Sequence, residues 1–229
     1  MKTLTTLKAA AIDIDGVLVA DTFSPVIKLL VEEFGGTYDR EIERHVFSQN
    51  RTAAAHYLLD RLGLDQSVED FVALYFRTRD QWIATHGGGL NPDAGRFLDV
   101  LEQSGLRLVC YGGLPRSHFE KELGPWAPRF ETYVCTNDFR PGVTEIVRDV
   151  LHLQPSEVLF FDDVSRVGEA ARSLGCPFVG VPAPWPWGYQ RADMQTLGVP
   201  VVLSALLEVT PQQVTKLDEL ASRGYWRPT

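Results

Sequence analysis

Two pairs of aspartates mark the places in this sequence where chemistry could occur. Asp13 and Asp15 lie at the end of a short apolar run, and the adjacent Asp162 and Asp163 follow another, Val158–Phe161. Two carboxylates ~4 Å apart repel by about 4 kcal/mol at an effective dielectric constant of ~20, so four in one crevice require a cation or raised pKa values. Oxygen ligands at a phosphate-handling site favour Mg²⁺. Either pair alone is usually an ordinary turn, but both at strand ends of one fold predict a reaction site.

The elements that must position these carboxylates alternate along the chain. A short strand is predicted over Lys8–Ile14, and helices and strands alternate after residue 90. The predicted strands are Leu106–Tyr111, Thr132–Cys135, Val158–Phe161 and Phe178–Val181, and the predicted helices are Asp93–Gln103, Pro115–Leu123, Val143–Leu151, Val164–Leu174 and Thr210–Arg223. Such alternation predicts an α/β fold, a Rossmann-like parallel sheet with helices on both faces. Ligands bind at the carboxyl ends of the strands in such sheets, where both aspartate pairs fall.

A helical segment interrupts this pattern after the first strand. Its first helix begins at Ser24-Pro25 and stops at Gly35-Gly36, and three more helices are predicted, over Arg40–Ser48, Thr52–Leu62 and Ser67–Thr85. We therefore expect an α/β core formed by residues 1–19 and 90–229, with residues 20–89 inserted as an all-helical unit, here called the cap.

These motifs together resemble the haloacid dehalogenase-like (HAD) hydrolase superfamily. Asp13-Ile14-Asp15-Gly16-Val17-Leu18 is similar to its first motif, and Val158–Val164 with the following Glu169–Cys176 is similar to its fourth. The helical insertion looks like the cap of the branch that contains phosphoglycolate phosphatase and β-phosphoglucomutase. Gly188-Tyr189, after the last predicted strand, is similar to the phosphoglycolate phosphatase branch. The resemblance covers nearly the whole chain and implies a HAD-like core with a helical cap.

The resemblance also implies roles for the carboxylates. Asp13 would attack phosphorus to form an aspartyl-phosphate, and Asp15 would act as general acid and then general base. Mg²⁺ would be held by Asp13, by the backbone carbonyl of Asp15 and by Asp163. Asp162 would be a further ligand or would support the ligands without contacting the ion. Members that remove halogens lack the second acid, so Asp15 favours phosphoryl transfer. The implied activity is that of a Mg²⁺-dependent phosphatase, a phosphoric monoester hydrolase.

Two positions depart from the family pattern. Gly112 stands where the second motif has Ser or Thr, although the backbone N–H groups of Gly112 and Gly113 could still bind an anion. Arg140 stands where the third motif has Lys, and its guanidinium can grip phosphate by two hydrogen bonds. In related caps the region of Arg51 reaches over the phosphate. The departures leave a weak or inactive HAD-like binding or regulatory protein as the alternative, and a phosphoryl mutase would use the same residues.

Composition narrows the class of partner. The 229 residues carry a formal charge of −8 with a pI near 5.1, which predicts no general attraction to nucleic acid or to an anionic membrane. Asp13 and Asp15 interrupt the first apolar stretch, so we expect no signal peptide, and three scattered cysteines fit the reducing cytoplasm. We expect a small phosphorylated metabolite as substrate and a monomer or homodimer in solution.

Overall fold

The computed structural model describes residues 3–227 and is built on one six-stranded parallel sheet. The strands are β1 (Ala9–Asp13), β2 (Arg107–Gly112), β3 (Thr132–Cys135), β4 (Val158–Asp162), β5 (Phe178–Gly180) and β6 (Val201–Val202). Their spatial order is β3-β2-β1-β4-β5-β6, and every pairing is parallel. This is the strand order of doubly wound nucleotide-binding sheets, so the predicted Rossmann-like fold class is confirmed.

The helices cover both faces of the sheet and form the insertion. The four helices that follow β1 are α1 (Phe23–Glu33), α2 (Arg40–Val46), α3 (Arg51–Leu62) and α4 (Val68–His86). The later helices are α5 (Ala94–Gln103), α6 (Arg116–Leu123), α7 (Val143–Glu145, continuing as π-helix over Ile146–Val150), α8 (Ser165–Leu174), α9 (Gln190–Leu197) and α10 (Pro211–Arg223).

Burial on both faces explains why the central strands are continuous apolar runs. All five residues of β1 are buried. Ala10 and Ile12 pack into the core on one face, and Ala9 and Ala11 pack into the core on the other. A parallel sheet covered by helices on both sides has no solvated face, so its strands do not alternate between polar and apolar residues.

The cap has a core of its own and joins the sheet through two adjacent connectors. Its helices bury residues such as Ile27, Ile42 and Phe71 against each other. The connectors run side by side, because the backbone N–H of Ala20 donates to Gly89 at 2.9 Å and that of Asn91 donates to Leu18 at 2.8 Å. The all-helical insertion predicted from the sequence is therefore present, and its limits at residues 20 and 89 stay a prediction.

Two elements of the structure were not predicted. Helix α9 is mostly polar and too short for a clear apolar stripe, and β6 has only two residues. Within residues 3–227 no helix is long and apolar enough to cross a bilayer. The three cysteines are free thiols.

Candidate active site

The carboxylates meet where the strand order reverses direction. The first strand lies between β2 and β4, and Ile12 of β1 pairs with Phe161 of β4. Asp13 and Asp162 therefore occupy the next position on neighbouring strands, with Asp163 one residue further. All three are buried. The predicted convergence of the two acidic pairs at one sheet edge follows directly from this register.

Burial and mutual repulsion raise the pKa values of this cluster. The pKa of Asp13 lies well above its usual value, mainly because burial removes water and then because Asp162 and Asp163 are close, while Arg140 opposes the shift. Burial, and then the charge of Asp162, raises the pKa of Asp163 well above its usual value. Burial raises the pKa of Asp162 to about 6, even though hydrogen bonds from Tyr111 and Val164 act against it. Cations are the groups that would relieve such a cluster.

The two aspartates of β4 differ in their partners. Tyr111 donates its hydroxyl to Oδ2 of Asp162 at 2.6 Å, and the backbone N–H of Val164 donates to Oδ1 at 2.7 Å. Both oxygens of Asp162 are therefore engaged, and this residue orients the strand end. Among the described residues, none donates a side-chain hydrogen bond to Asp13 or Asp163, so these two carboxylates are the ones available to a ligand.

Gly16 allows Asp163 to approach the loop after β1. A Cβ atom at Gly16 would overlap Oδ2 of Asp163, and the glycine has a φ of +96°, in the left-handed region. Both the backbone conformation and the space above it therefore require glycine. The result is that the Asp163 carboxylate lies directly against the loop that carries Asp13 and Asp15.

The donor set fits a magnesium ion held by few protein groups. Within residues 3–227 no three His, Cys, Asp or Glu side chains form a ready-made metal cage. Mg²⁺ is usually held by one or two carboxylates, with water and substrate phosphate completing the octahedron. The neighbouring carboxylates of Asp13 and Asp163 would meet that requirement, whereas a fully caged cation would find too few ligands among the described residues.

Asp15 has partners that could not be predicted from the sequence. His118 of α6 places Nε2 2.9 Å from Oδ1 of Asp15, and its Nδ1 lies 3.9 Å from Oε1 of Glu122. Arg79 of α4 places Nη2 3.8 Å from the same Asp15 oxygen. The separation of 103 residues between Asp15 and His118 explains why no motif revealed the pair. Asp15 thus sits between a histidine of the core and an arginine of the cap.

Arg140 reaches over the loop after β2. A Cβ atom at Gly113 would overlap Nη2 of Arg140, so the guanidinium lies on the bare backbone of this glycine. Its Nε is buried and has no hydrogen-bond partner. An unpaired buried donor is costly, and an anion placed beside it would supply the missing acceptor. The structure thus brings Arg140 and the Gly113 loop, which the sequence analysis named separately, into contact.

Gly112 faces away from this arrangement. A Cβ atom there would lie 2.6 Å from Cγ2 of Ile14 and 3.0 Å from the hydroxyl oxygen of Tyr133. Tyr133 donates that hydroxyl to the carbonyl of Leu114 at 2.6 Å and so holds the loop after β2. Gly112 is not among the residues that line the cavity described below, whereas Gly113 is. A hydroxyl side chain at position 112 could enter only if Ile14 and Tyr133 moved.

The start of α3 docks the cap on the core beside this loop. Asn50 donates its side-chain amide to the carbonyl of Asn137 at 3.0 Å, and the backbone N–H of Arg51 donates to the Asn137 side chain at 3.1 Å. Nη2 of Arg51 donates to the carbonyl of Gly113 at 3.2 Å. Arg51 therefore reaches the same loop as Arg140, at the position where the sequence predicted a substrate contact.

A buried glutamate forms the second attachment of the cap. Glu43 of α2 accepts hydrogen bonds from the Tyr38 hydroxyl at 2.8 Å, the Tyr189 backbone at 3.1 Å and the Gln190 side chain at 2.8 Å. Gln190 in turn accepts from the backbone N–H of Ser165 at 2.7 Å, at the start of α8. Burial raises the pKa of Glu43, because its three donors only partly replace water. Tyr189 of the Gly188-Tyr189 pair is therefore a cap-binding residue.

One cavity of about 150 Å³ lies between these groups and the cap. Asp13, Asp15, Asp163 and Arg140 line it together with Gly113. Asp162, Arg51 and Arg79 also border it. Of the site residues predicted from the sequence, all except Gly112 therefore surround a single space.

Solved structures share this fold across nearly the whole chain. A predicted phosphoglycolate phosphatase from Haemophilus somnus is 17% identical with a TM-score of 0.64, covering 93% of this chain and 99% of its own. β-Phosphoglucomutase from Clostridium difficile is 13% identical with a TM-score of 0.68, covering 93% and 97%. A HAD hydrolase of family IA, variant 3, from Entamoeba histolytica is 14% identical with a TM-score of 0.67, covering 93% and 100%.

These similarities are structural. No protein-family model matches the sequence, and no curated protein matches it. At identities below 20% the likeness shows the fold, and it confirms at that level the resemblance to the HAD core with a helical cap that the motifs indicated. The fold hosts more than one reaction, so the function has to be argued from the site.

Proposed function

We propose that this protein is a Mg²⁺-dependent phosphoric monoester hydrolase that works through an aspartyl-phosphate on Asp13. The observation that carries the proposal is the arrangement of one cavity around two buried carboxylates to which no described side chain donates, Asp13 and Asp163, and a third carboxylate, Asp15, already paired with His118. A nucleophile, a cation site and a proton donor are the three parts that hydrolysis of an alkyl phosphate needs.

The first step is attack by Asp13 on phosphorus. A carboxylate oxygen of Asp13 forms a bond to phosphorus as the bond from phosphorus to the alcohol oxygen breaks. Asp15, in its protonated form and 2.9 Å from Nε2 of His118, gives its proton to the departing oxygen and becomes a carboxylate. The alcohol leaves neutral, and the phosphoryl group stays on Asp13. Splitting one difficult displacement into two makes each barrier lower.

The second step returns the site to its starting state. Water attacks the same phosphorus, Asp15 and His118 take up its proton, and the bond to Asp13 breaks to release phosphate. A bound Mg²⁺ would be held by Asp13, the Asp15 carbonyl and Asp163, and would neutralise negative charge between carboxylate and phosphate. Arg140 and Arg51 supply fixed positive charge on the Gly113 side of the cavity. The unpaired Nε of Arg140 is the donor most clearly in need of a phosphate oxygen.

The test is turnover of an aryl phosphate, p-nitrophenyl phosphate, with magnesium and with EDTA. The wild-type chain should turn over only with magnesium, and Asp13→Asn should abolish turnover without lowering the melting temperature. Asp65→Asn, an exposed cap residue, is the matched control and should behave like wild type. Acid quenching during turnover of a ³²P-labelled ester should leave label on the wild-type chain and none on Asp13→Asn.

Two other functions remain as distinct results of this experiment. Equal phosphate release by the wild-type chain and by Asp13→Asn would contradict the hydrolase proposal. Absence of turnover, together with tight binding of inorganic phosphate, would identify a binding protein. Transfer of the label to an added alcohol faster than to water would identify a mutase.

A further inference from the structure

The cavity beside the carboxylates continues into the apolar interior of the cap. Five aromatic rings line it. Phe23 lies 5.2 Å from Phe47 and 5.6 Å from Tyr75, and Tyr75 lies 5.1 Å from Phe76, between ring centroids, and Phe71 is the fifth. Further apolar lining comes from all four cap helices: Ile27, Val46, Ala54, Ala55, Leu58 and Val72, with Phe71. The end of the cavity inside the cap is therefore hydrophobic, whereas the end at the sheet is lined by buried charged groups.

Arg51 lies where the charged and the apolar parts meet. Its guanidinium lies 5.4 Å from the ring centroid of Phe76 and donates to the Gly113 carbonyl. A ligand whose anionic group occupies the carboxylate and arginine end must place the rest of its structure among the aromatic rings. The geometry thus separates a phosphate end from an apolar end within one space.

Two polar groups on the cap side of the cavity already have hydrogen-bond partners. The Thr22 hydroxyl accepts from Arg79 at 2.9 Å, and the Asp21 carboxylate accepts from the Trp185 indole at 2.7 Å. The hydroxyl of Ser48 differs, because its oxygen is buried without a hydrogen-bond partner and the residue has a φ of +50°. Ser48 is thus the one cavity-lining side-chain oxygen of the described cap residues that is both buried and unpaired.

We propose that the cap selects phosphate monoesters of compact apolar alcohols, about the size of one aromatic ring, with room for one polar substituent at Ser48. The proposal rests on the proposed phosphatase function and adds the chemical class of the alcohol. The cavity of about 150 Å³, which the phosphate and the alcohol would share, limits the alcohol to about the size of one aromatic ring, since an apolar cavity of that volume can hold benzene.

The same lining disfavours polyhydroxylated alcohols such as sugars. A hydroxyl transferred from water to an apolar surface without a partner lowers affinity roughly tenfold or more. Each buried methylene group, in contrast, raises affinity about fourfold. A ring with one hydroxyl can satisfy Ser48, whereas the several hydroxyls of a sugar would lie against a mainly apolar lining.

The first experiment compares substrates of equal charge on the wild-type chain. The measured quantity is kcat/KM for benzyl phosphate, cyclohexyl phosphate, glycerol 1-phosphate and glucose 6-phosphate, with magnesium present. We expect the two apolar esters to exceed the two polyhydroxylated ones by about 100-fold or more, from several buried methylene equivalents and unpaired hydroxyls. Equal values, or a preference for either polyol ester, would overturn the proposal.

The second experiment changes the size of the apolar end. Ala54→Leu fills the cavity and should lower kcat/KM for benzyl phosphate at least tenfold, while Ala53→Leu, on the exposed side of the same helix, should leave it unchanged. Phe76→Ala enlarges the cavity and should shift preference from benzyl to naphthylmethyl phosphate. Thermal melting shows whether each variant is folded. A folded Ala54→Leu with unchanged selectivity, or Phe76→Ala with unchanged preference for ring size, would contradict the assignment.

A binding measurement separates this proposal from the phosphatase proposal. Benzylphosphonate and 2-hydroxyethylphosphonate cannot be hydrolysed, so calorimetric affinities report the cavity alone. Tighter binding of benzylphosphonate without turnover of any ester would support the apolar pocket and contradict the hydrolase. Turnover with equal binding of both phosphonates would support the hydrolase and contradict the apolar pocket.

Discussion

Gly16 gives the sharpest test of how the metal site is assembled. Replacement by alanine introduces a Cβ that overlaps the Asp163 carboxylate, the far end of a side chain that can rotate away. The overlap can therefore be relieved without a backbone shift, and its main effect should be to displace the Asp163 carboxylate. The positive φ of +96° adds a second cost, about 1–2 kcal/mol of stability, which any non-glycine residue incurs there.

Gly175 separates these two costs. It has a φ of +85°, close to that of Gly16, but a Cβ built on it meets no atom within 4 Å. Gly175→Ala and Gly16→Ala should therefore both lose about 1–2 kcal/mol in the free energy of unfolding. Only Gly16→Ala should also lose magnesium affinity, by about 10–100-fold, the usual effect of disturbing a group that orients a metal ligand. That factor corresponds to about 1.4–2.7 kcal/mol of binding free energy.

The assay has two parts. Urea unfolding without metal gives the stability of each variant, and the magnesium dependence of p-nitrophenyl phosphate hydrolysis gives the apparent affinity, checked by calorimetric titration. If Gly16→Ala binds magnesium within twofold of Gly175→Ala, then Asp163 does not act with the Asp13–Asp15 loop in holding the ion. A large loss of stability confined to Gly16→Ala would instead show that Asp163 is held too rigidly to rotate.

Three further outcomes are expected. Asp163→Asn should weaken magnesium binding more than Asp162→Asn in calorimetry, because both oxygens of Asp162 are engaged by the protein, and equal losses would contradict this order. His118→Asn should slow hydrolysis of alkyl phosphates about 10–100-fold and hydrolysis of p-nitrophenyl phosphate much less, because the p-nitrophenolate leaving group needs no proton from Asp15. Equal slowing of both substrates would indicate that His118 has a structural role only. The pKa values of Asp13, Asp162 and Asp163 are raised in the folded protein, so the folded form binds more protons than the unfolded form over part of the pH range. The metal-free protein should therefore lose stability as the pH rises from about 4, the pKa of an aspartate in the unfolded chain, through about 6, the pKa of Asp162 in the folded protein. Melting temperatures measured at several pH values should fall over this range, and magnesium should reduce the fall.

The acidic pairs could be predicted from the sequence because their position depends on strand ends, and strand ends are visible as apolar runs followed by Asp. The strand order then placed Asp13 beside Asp162, as expected for a sheet of this class. The resemblance to the family's second and third motifs indicated Gly113 and Arg140 from their neighbours in the chain. These predictions needed no knowledge of side-chain direction.

Other parts of the site depend on direction and distance. Gly112 aligns with a hydroxyl position, but its missing side chain would point at Ile14 and Tyr133 rather than at the cavity. His118 occupies a short polar helix, where histidine is ordinary in a sequence, and only packing brings it to Asp15. Glu43 would be assigned to a solvated helix face by its charge, yet it is buried. Contacts between residues far apart in the chain leave no periodic signal.

The Glu43 hydrogen-bond network has a kinetic consequence. Movement of the cap away from the sheet must strip this buried carboxylate of its donors from Tyr189 and Gln190, and it must also disturb the Gln190 contact that orients the start of α8. The conformation in which the cap has moved away from the sheet is then rarely populated. A ligand too large for the existing entrance can bind only to that conformation. Its observed association rate should level off with concentration at the opening rate, instead of rising without limit. Departure of such a large ligand requires the same rupture, so the same opening rate also limits its escape.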